Sequence, residues 1–482
     1  MGGTATTETP RAGGGKTNSP RPGRRHSLGE SEKQDLVDQI KREHPLLDVL
    51  ARLGVRMKSR GAWWEGNCPF PNHADPSPSF KVNKKSSETF HCFGCSAHGN
   101  IFTLARDLYG MGTFAEQVMF VTGRSWSEWV EGLPSSAEER ERFRAQAEQA
   151  RARLEEQRRA EEARWRSAPD HVVGPVYEAL LARLDLDGWG LREVERRGIP
   201  ADVARLCGYR TFPSARGDRI RLCEELAAAG LSLVKVPGFY RLPVKGLDKA
   251  GGRWCVGGNP WGRRDFYDKE TRRRWEVGGL IIPLCDEEGR IVQLKLRSAG
   301  RPDDLPERFA DFWPPKYMVL GSEDRDDGAR PPLRAHFTGP PDGGDQPGVL
   351  WVTEGEIKAD VGAYMLNARF CGLPGVGQNP ELALGYAARA GFREVRVAMD
   401  SEDKQHVQRA IAELCRGAEG LGLTATVALW DNHYRGGDTK GIDDLLVAGG
   451  DHWVLDYADW WLLLDERTKE YVERRLAGSN VG

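Results

Sequence analysis

The sequence predicts a multidomain α/β protein, and three features of the chain indicate that fold class. A short segment rich in cysteine and histidine lies near the N-terminus, and a long charged stretch of helical composition follows it. From residue 348 to 450, apolar runs alternate with helical patterns, which is typical of a parallel sheet with right-handed crossovers. At ~150 residues per domain, 482 residues suffice for about three domains.

Changes of composition divide the chain. The N-terminal residues have too few large apolar side chains to form a core, and the stretch after residue 132 alternates acids and arginines as a solvated helix does. The predicted units are a disordered tail at 1–30, a cysteine-containing domain at 31–132, a charged helical linker at 133–170, a helical and basic α+β region at 171–347, an α/β domain at 348–450 and a helical tail at 451–482.

In the helical and basic region at 171–347, the sequence predicts helices first and strands afterwards. Residues 279–284 and 290–297 predict a hairpin with one buried and one polar face, and the two-residue period places Lys295 and Arg297 together on the polar face. Residues 322–347 are rich in Asp, Gly and Pro and predict a loop. The helical patterns lie at 176–184, 191–197, 201–206 and 220–228.

Apolar strands at 349–353, 395–399 and 425–430 define the α/β domain. Helical patterns at 357–366, 381–390 and 407–414 separate them, which is the order expected of a parallel sheet. The segment from 453 to 476 predicts a helix.

Composition excludes several classes of protein. Lys and Arg total 69 and Asp and Glu total 71, so a histone-like basic protein and an acidic tail protein are both excluded, although a local basic face still permits nucleic-acid binding. No apolar run approaches the ~20 residues of a membrane span, and the N-terminus has no apolar signal segment, so we expect a cytoplasmic protein without a membrane partner. The nine cysteines are an odd number in a long chain, which argues against a disulfide scaffold.

Three of the cysteines form a metal-binding pattern with a histidine. The predicted ligands are Cys68, His73, Cys92 and Cys95, which give one knuckle, a spacer of eighteen residues and a second C-x-x-C knuckle. Four sulfur and nitrogen ligands suit a closed, structural zinc site. His91 and His98 are the alternative nitrogen ligands, and a redox C-x-x-C is the alternative role.

Aromatic and basic residues are interleaved with these ligands. They either stack on single-stranded bases and hold phosphates, or pack around the zinc ion. The residues concerned are Phe70, Phe80, Lys81, Lys84, Lys85 and Phe90.

Carboxylates follow the strands of the α/β domain. Because ligands bind beyond the carboxyl ends of parallel strands, we expect these side chains to converge there and to hold Mg²⁺ or Mn²⁺. Helix capping is the alternative role for acids at such turns. Lys358, on the first helix, either neutralises phosphate charge or is a solvated lysine. The acids are Glu354, Asp400, Glu402, Asp403, Asp443 and Asp444.

These motifs together resemble bacterial-type (DnaG-like) DNA primases. The Cys68-Pro69-Phe70 start, the Pro78-Ser79-Phe80 step and the Cys92-Phe93-Gly94-Cys95 knuckle are similar to the primase zinc ribbon. The Glu354-Gly355 turn, the strand end at Asp400 and the Gly441-x-Asp443 turn are similar to the TOPRIM fold. Segments around Ile282-Pro283, Leu296-Arg297 and Lys316-Tyr317 resemble the basic subdomain that carries the template.

The resemblance implies an enzyme that synthesises short RNA primers on single-stranded DNA from nucleoside triphosphates. Glu354, Asp400, Glu402 and Asp443 would be catalytic and bind Mg²⁺, and Lys295, Arg297, Lys316, Lys358 and Arg274 would contact nucleic acid or nucleotide. The second acid of the family's D-x-D motif is Glu402 here, and Asp403 competes for that role. The domain content is similar to primases of phages, plasmids and integrated elements, which implies a separate replicative helicase as partner.

Two other functions fit parts of the pattern. One is a non-catalytic zinc-ribbon protein that binds single-stranded DNA during replication, and the other is a TOPRIM nuclease. A topoisomerase is disfavoured, because the chain has no room for a strand-passing tyrosine domain.

Overall fold

The computed structural model describes most of the chain. The described residues are 29–60, 62–70, 79–93, 95, 97–131, 145, 152, 156, 159–242, 252–257, 266–267, 270–275, 277–310, 313, 315–323, 325–340, 348–376 and 378–479. The predicted disordered tail at 1–30 therefore falls almost wholly outside them. Of the predicted charged linker, residues 159–164 are helical and mostly exposed, as expected of a solvated helix.

The N-terminal domain is a five-stranded antiparallel sheet packed between helices. Leu36 and Ile40 lie on the buried face of the first helix, as their spacing predicts, and they contact the same core as Phe80 and Phe90. The helices are α1 (Glu30–Glu43), α2 (Leu46–Arg52), α3 (Ile101–Tyr109), α4 (Phe114–Thr122) and α5 (Trp126–Glu131), and the strands are β1 (Lys58–Arg60), β2 (Trp63–Gly66), β3 (Phe80–Asn83), β4 (Phe90–Cys92) and β5 (His98–Gly99).

Most helices of the second domain precede its antiparallel strands, as predicted, but the strand Arg210–Phe212 comes before the helix Arg216–Ala228. Its central sheet has the order β13-β12-β11-β6, and two short two-stranded sheets accompany it. The helices are α6 (Asp170–Leu181), α7 (Gly188–Arg196), α8 (Ala201–Leu206), α9 (Arg216–Ala228) and α10 (Glu307–Ala310), and the strands are β6 (Arg210–Phe212), β7 (Phe239–Leu242), β8 (Arg253–Val256), β9 (Phe266–Tyr267), β10 (Arg274–Trp275), β11 (Gly279–Cys285), β12 (Ile291–Ser298) and β13 (Tyr317–Val319).

The third domain is a six-stranded sheet of order β14-β16-β15-β17-β18-β19, covered by helices. The four central strands are parallel: β15, β17 and β18 are the three predicted strands, whereas β16 was not predicted. Both edge strands are antiparallel. The strands are β14 (His336–Thr338), β15 (Val349–Glu354), β16 (Arg369–Leu373), β17 (Glu394–Val397), β18 (Thr424–Leu429) and β19 (Trp453–Asp456), and the helices are α11 (Glu356–Leu366), α12 (Pro380–Arg389), α13 (Gln405–Gly420), α14 (Ile442–Val447), α15 (Tyr457–Leu463) and α16 (Glu466–Ser479).

Two predictions are wrong at the edges of this sheet. β14 lies inside the segment predicted as a loop at 322–347, and β19 replaces the first residues of the helix predicted from 453. Both strands pair with a stronger neighbour, β16 and β18 respectively, which supplies the hydrogen bonds that short, weakly patterned segments need. The sheet therefore draws strands from both sides of the predicted 348–450 boundary.

The predicted polar face of the β11–β12 hairpin is also wrong, because both faces are buried. Leu280 lies opposite Arg297, and Ile282 lies opposite Lys295. These two apolar residues belong to a core that includes residues of α7 and α11, so helices cover the face that carries both cations. Within the described part of the chain, no helix has the length and apolar content needed to cross a membrane.

Candidate active site and zinc-binding site

Three cysteines of the N-terminal domain come together. The sulfur atoms of Cys68, Cys92 and Cys95 all lie within 4.8 Å of one another, and the Cys68 and Cys95 sulfurs are 3.7 Å apart. Zn–S bonds of about 2.3 Å in a tetrahedral site separate two sulfurs by about 3.8 Å. Hydrogen bonds within this group lower the pKa of the Cys92 thiol and raise that of the Cys68 thiol, because protonated neighbours stabilise one thiolate. The three sulfurs therefore fit one zinc ion.

The fourth predicted ligand, His73, lies outside the described residues. Among the described residues, the alternative histidines His91 and His98 do not join the cysteine group. Their rings face each other instead, with centroids 6.1 Å apart, and His98 is exposed. His73 stays the predicted nitrogen ligand.

The rings of this domain divide between core and surface. Phe80 and Phe90 are 0% and 2% exposed, so packing around the cysteines is confirmed for these two and base stacking is excluded. Phe93 is 51% exposed and was not predicted to contact bases. Lys81 lies over its ring at 5.5 Å, and Trp63 meets it edge-on at 6.2 Å. The sequence signal for Phe93 is its position directly after the end of β4.

The first predicted acid, Glu354, ends β15 at a tight turn. Gly355 follows with φ +84°, a conformation that a residue with a Cβ adopts only with strain. A Cβ on Gly372 would lie 2.5 Å from the Gly355 carbonyl oxygen, so the neighbouring strand also needs a glycine here. Burial raises the pKa of Glu354, the charge of Asp400 raises it further, and that of Lys358 opposes both.

The second group of acids follows β17. Glu402 forms ion pairs with Lys404 at 2.8 Å and with Lys440 at 3.3 Å. Although burial alone would raise the pKa of Glu402, the two lysines lower it. Asp403 is exposed, whereas the Glu402 side chain is only 15% exposed. The charge of Glu402 also raises the pKa of Glu354.

The third group begins α14. Asp443 is 5% exposed, and burial together with the charge of Asp444 raises its pKa to about 6. A Cβ on Gly441 would lie 2.3 Å from Asp443 Oδ1 and 3.0 Å from Lys358 Cε, so only glycine lets these side chains approach. Arg197 Nη1 lies 3.8 Å from Asp443 Oδ2.

Lys358 lies among the acids, on the first turn of α11. Its ammonium group donates a hydrogen bond to Asp400 Oδ1. Burial alone would lower the pKa of Lys358, but the charges of Asp400, Glu354 and Asp443 raise it, so the side chain is a cation. We call the surrounding carboxylates the acid cluster: Glu354, Asp400, Glu402, Asp443 and Asp444.

The acid cluster fits a divalent cation in the chemistry of its donors. All are carboxylate oxygens, which Mg²⁺ and Mn²⁺ prefer. Asp443 Oδ1 is buried and has no hydrogen-bond partner among the described residues. In the same part of the chain, however, only the three cysteines bring three ligand atoms within 4.8 Å, so the carboxylates surround Lys358 rather than meet at one point.

A group of cations lies beside the acid cluster, and we call it the arginine cluster. Its hub is Glu193 on α7, which accepts hydrogen bonds from Arg196 at 2.8 Å and Arg197 at 3.2 Å and pairs with Arg297 at 2.5 Å. Sequence reasoning missed the hub, because Glu and Arg three or four residues apart are common on solvated helices. The members are Glu193, Arg196, Arg197, Arg297, Lys316 and Tyr317.

The residues predicted to contact nucleic acid differ in their exposure and in their partners. Lys316 is exposed, and burial followed by the charges of Arg297 and Arg197 lowers its pKa. Arg297 is 6% exposed and lies over the Tyr317 ring at 5.1 Å. Lys295 is bound to both carboxylate oxygens of Glu356, at 2.7 and 2.8 Å. Arg274 has no described side chain.

A buried hydrogen-bond network fixes α11 on the side opposite Lys358. The backbone N–H of Cys285 donates to His336 Nδ1 at 3.0 Å, so Nε2 carries the proton and donates to Asp360 at 2.9 Å. Tyr209 donates to the second Asp360 oxygen at 2.9 Å. Helix α11 is therefore fixed by neighbouring segments on one side and carries Lys358 on the other.

Comparison with known proteins assigns the N-terminal domain. Residues 32–129 match the family described as the CHC2 zinc finger of the DnaG zinc ribbon. This segment is similar to the zinc ribbon of DnaG-like primases. The resemblance to DnaG-like primases is thereby confirmed, and it is most specific in this domain.

Curated relatives match over about a fifth of the chain. The DNA primase of Listeria monocytogenes is 33% identical over 101 residues, which are 21% of this chain and 15% of that protein. The DNA primase of Halalkalibacterium halodurans is 37% identical over 92 residues, 19% of this chain and 14% of the relative. The matched region thus spans about a seventh of the relatives' length.

Solved primase structures are similar over more of the chain at lower identity. The zinc-binding and RNA polymerase domains of Aquifex aeolicus primase give a TM-score of 0.36 at 17% identity, covering 87% of this chain and 86% of that one. The RNA polymerase domain of Mycobacterium tuberculosis primase DnaG gives 0.38 at 17% identity, covering 58% and 79%.

Proposed function

We propose that the chain is a DNA primase that synthesises short RNA primers on single-stranded DNA. The observation that carries the proposal is the contact between the acid cluster and the arginine cluster, at Asp443 and Arg197, in a chain whose residues 32–129 match the CHC2 zinc finger family. In the proposed reaction, the 3′-hydroxyl of one ribonucleotide attacks the α-phosphate of the next and pyrophosphate leaves.

The arginine cluster provides the positive charge that phosphates need. Arg196 and Lys316 are exposed and contact the nucleic acid or the triphosphate directly in this proposal. Arg297 lies beneath them, where its pairing with Glu193 fixes the cluster. The ammonium group of Lys295 forms an ion pair with Glu356. The proposed role of Lys295 is therefore to hold the turn after β15 rather than to bind template.

The acid cluster provides the chemistry for nucleotidyl transfer. A bound Mg²⁺ or Mn²⁺ would stabilise charge on the attacking and leaving oxygens. Glu354, Asp400 and Asp443 are the proposed ligands, with Glu402 as the second acid of its motif and Asp444 at the rim. Lys358 holds Asp400 and keeps this carboxylate oriented.

The zinc ribbon is the proposed template-binding domain. Base stacking on an exposed ring with a nearby cation is a sequence-tolerant way to hold single-stranded DNA. Phe93 with Trp63 and Lys81 provides such a surface. Cys68, Cys92 and Cys95 hold the zinc ion with His73 as the proposed fourth ligand. A separate replicative helicase and an origin in a mobile element stay predictions.

The test is primer synthesis by purified zinc-loaded protein. Glu354→Gln should reduce incorporation of labelled ribonucleotides on single-stranded DNA at least a hundredfold while zinc content stays unchanged. Glu381→Gln, on the exposed surface of α12, is the matched control and should retain activity. Incorporation that persists in Glu354→Gln contradicts the proposed role. Metal-dependent degradation of the DNA instead would favour the nuclease, and binding without either reaction would favour the non-catalytic protein.

A further inference from the structure

We infer that the ammonium group of Lys358 takes the place of a second metal ion, so that the acid cluster binds one divalent cation rather than two. The inference rests on the proposed function, because it concerns the cations of that same site. Enzymes with two metals place the ions about 3.5–4 Å apart and bind both through shared carboxylates. Here Lys358 donates a hydrogen bond to Asp400, one of the carboxylates that a second metal ion would need.

The first argument is the position of Lys358. Its ammonium group is hydrogen-bonded to Asp400, and its side chain is only 20% exposed. Its Cε and the Asp443 Oδ1 atom both approach the space beside Gly441, at 3.0 and 2.3 Å from the point where a Cβ would be. Lys358 thus lies between acids that follow two different strands.

The second argument is the balance of charge among the described residues. Glu402 has Lys404 and Lys440 as partners, and Glu356 has Lys295. The other carboxylates depend on Lys358 and Arg197 for compensation. Four carboxylates lie beside two cations, one of which, Arg197, is shared with Glu193, so this group keeps a net negative charge that a divalent ion would offset. Those four are Glu354, Asp400, Asp443 and Asp444.

The third argument is an available ligand atom. Asp443 Oδ1 is buried and has no hydrogen-bond partner in the described part of the chain. A buried carboxylate oxygen without a partner is costly, so a cation at this atom would remove that cost. Asp400, by contrast, already has a cation partner in Lys358.

Lys358 also differs from a metal ion in what it offers a substrate. An ammonium group has three N–H donors, and one of them is used on Asp400. The remaining donors suit the oxygens of a phosphate group. Lys358 would therefore contribute charge and hydrogen bonds without requiring a second metal.

The experiment counts Mn²⁺ ions bound to zinc-loaded protein by electron paramagnetic resonance, without nucleotide or template. The wild-type chain should bind one Mn²⁺. Lys358→Met keeps the length of the side chain but removes its charge, so this variant should bind two. Lys358→Arg is the matched control, because it keeps the charge and should bind one. Far-UV circular dichroism and zinc content establish that each variant is folded.

Two Mn²⁺ ions in the wild-type chain, or none, would overturn the inference even if Lys358→Met failed to fold. One ion in both the wild type and Lys358→Met would overturn it as well. Primer synthesis is measured separately on the same preparations. A wild-type chain that binds one Mn²⁺, gains a second in Lys358→Met and makes no primer would refute the proposed function while leaving the inference about Lys358 intact.

Discussion

Replacing Glu193 by glutamine tests the hub of the arginine cluster. Glu193 and Arg297 are 7% and 6% exposed and form an ion pair at 2.5 Å. Arg297 Nε and Nη1 have no hydrogen-bond partner within the described residues, so the loss of the carboxylate would leave this guanidinium largely uncompensated. Removing one partner of a buried pair costs about 3–5 kcal/mol. The exposed Arg196 contributes little to that figure, because its charge is solvated.

Equilibrium urea unfolding followed by tryptophan fluorescence measures this cost. With a urea dependence of ~3 kcal/mol per molar, the midpoint of the transition should fall by about 1 M or more. The control is Glu195→Gln, an exposed glutamate on the same helix, which should stay within about 0.5 kcal/mol of the wild type. A Glu193→Gln variant as stable as this control would refute the assignment of Glu193 as the hub.

We expect the effect of Glu193→Gln on the free energy of unfolding to depend on pH. Burial alone would raise the pKa of Glu193, but Arg196 and the other arginines lower it below its usual value. A carboxylate whose pKa is lower in the folded state stabilises the fold above its unfolded pKa of about 4.3 and loses that contribution as the pH falls. The difference in unfolding free energy between wild type and Glu193→Gln should therefore shrink below that pH. A constant difference would contradict the role of the ionised carboxylate.

Three further predictions concern the zinc ribbon and the turn after β15. Cys92→Ser should lose the bound zinc, measured by elemental analysis, and a variant that keeps its full zinc content would contradict the ligand assignment. Phe93→Ala should weaken single-stranded DNA binding by about 1–3 kcal/mol in fluorescence anisotropy. Tyr109→Ala, which removes another exposed ring of the domain, should bind as the wild type does. Gly372→Ala should abolish primer synthesis with little change in far-UV circular dichroism, because the added Cβ would lie 2.5 Å from the Gly355 oxygen and displace the turn. Full activity in that variant would show that the turn tolerates the displacement.

Three of the four central strands, β15, β17 and β18, were predictable because each is an apolar run between helical patterns, whereas β16 begins with an arginine, contains a glycine and was not predicted. A buried strand leaves that signature in the sequence regardless of its neighbours. The edge strands β14 and β19 leave no such signature, since each is three or four residues long and depends on one stronger partner. The placement of the acids after strands was predictable for a related reason, because those strands were recognisable, whereas their role as metal ligands stays a prediction.

Pairing between distant residues was not predictable. Alternation along β12 correctly placed Lys295 and Arg297 on one face, but their partners Glu356 and Glu193 are far away in the chain. With those partners, both cations are covered by helices instead of facing solvent. The position of Lys358 among the acids is a second case, because the sequence alone fits a solvated lysine equally well.

The most direct test of the central claim is a gel analysis of products formed by zinc-loaded protein with Mg²⁺, single-stranded DNA and labelled ribonucleoside triphosphates. The account predicts short labelled chains that alkali destroys and that disappear in Asp443→Asn. Equal yields of these chains from wild type and Asp443→Asn, or no labelled chains from the wild type, would contradict it.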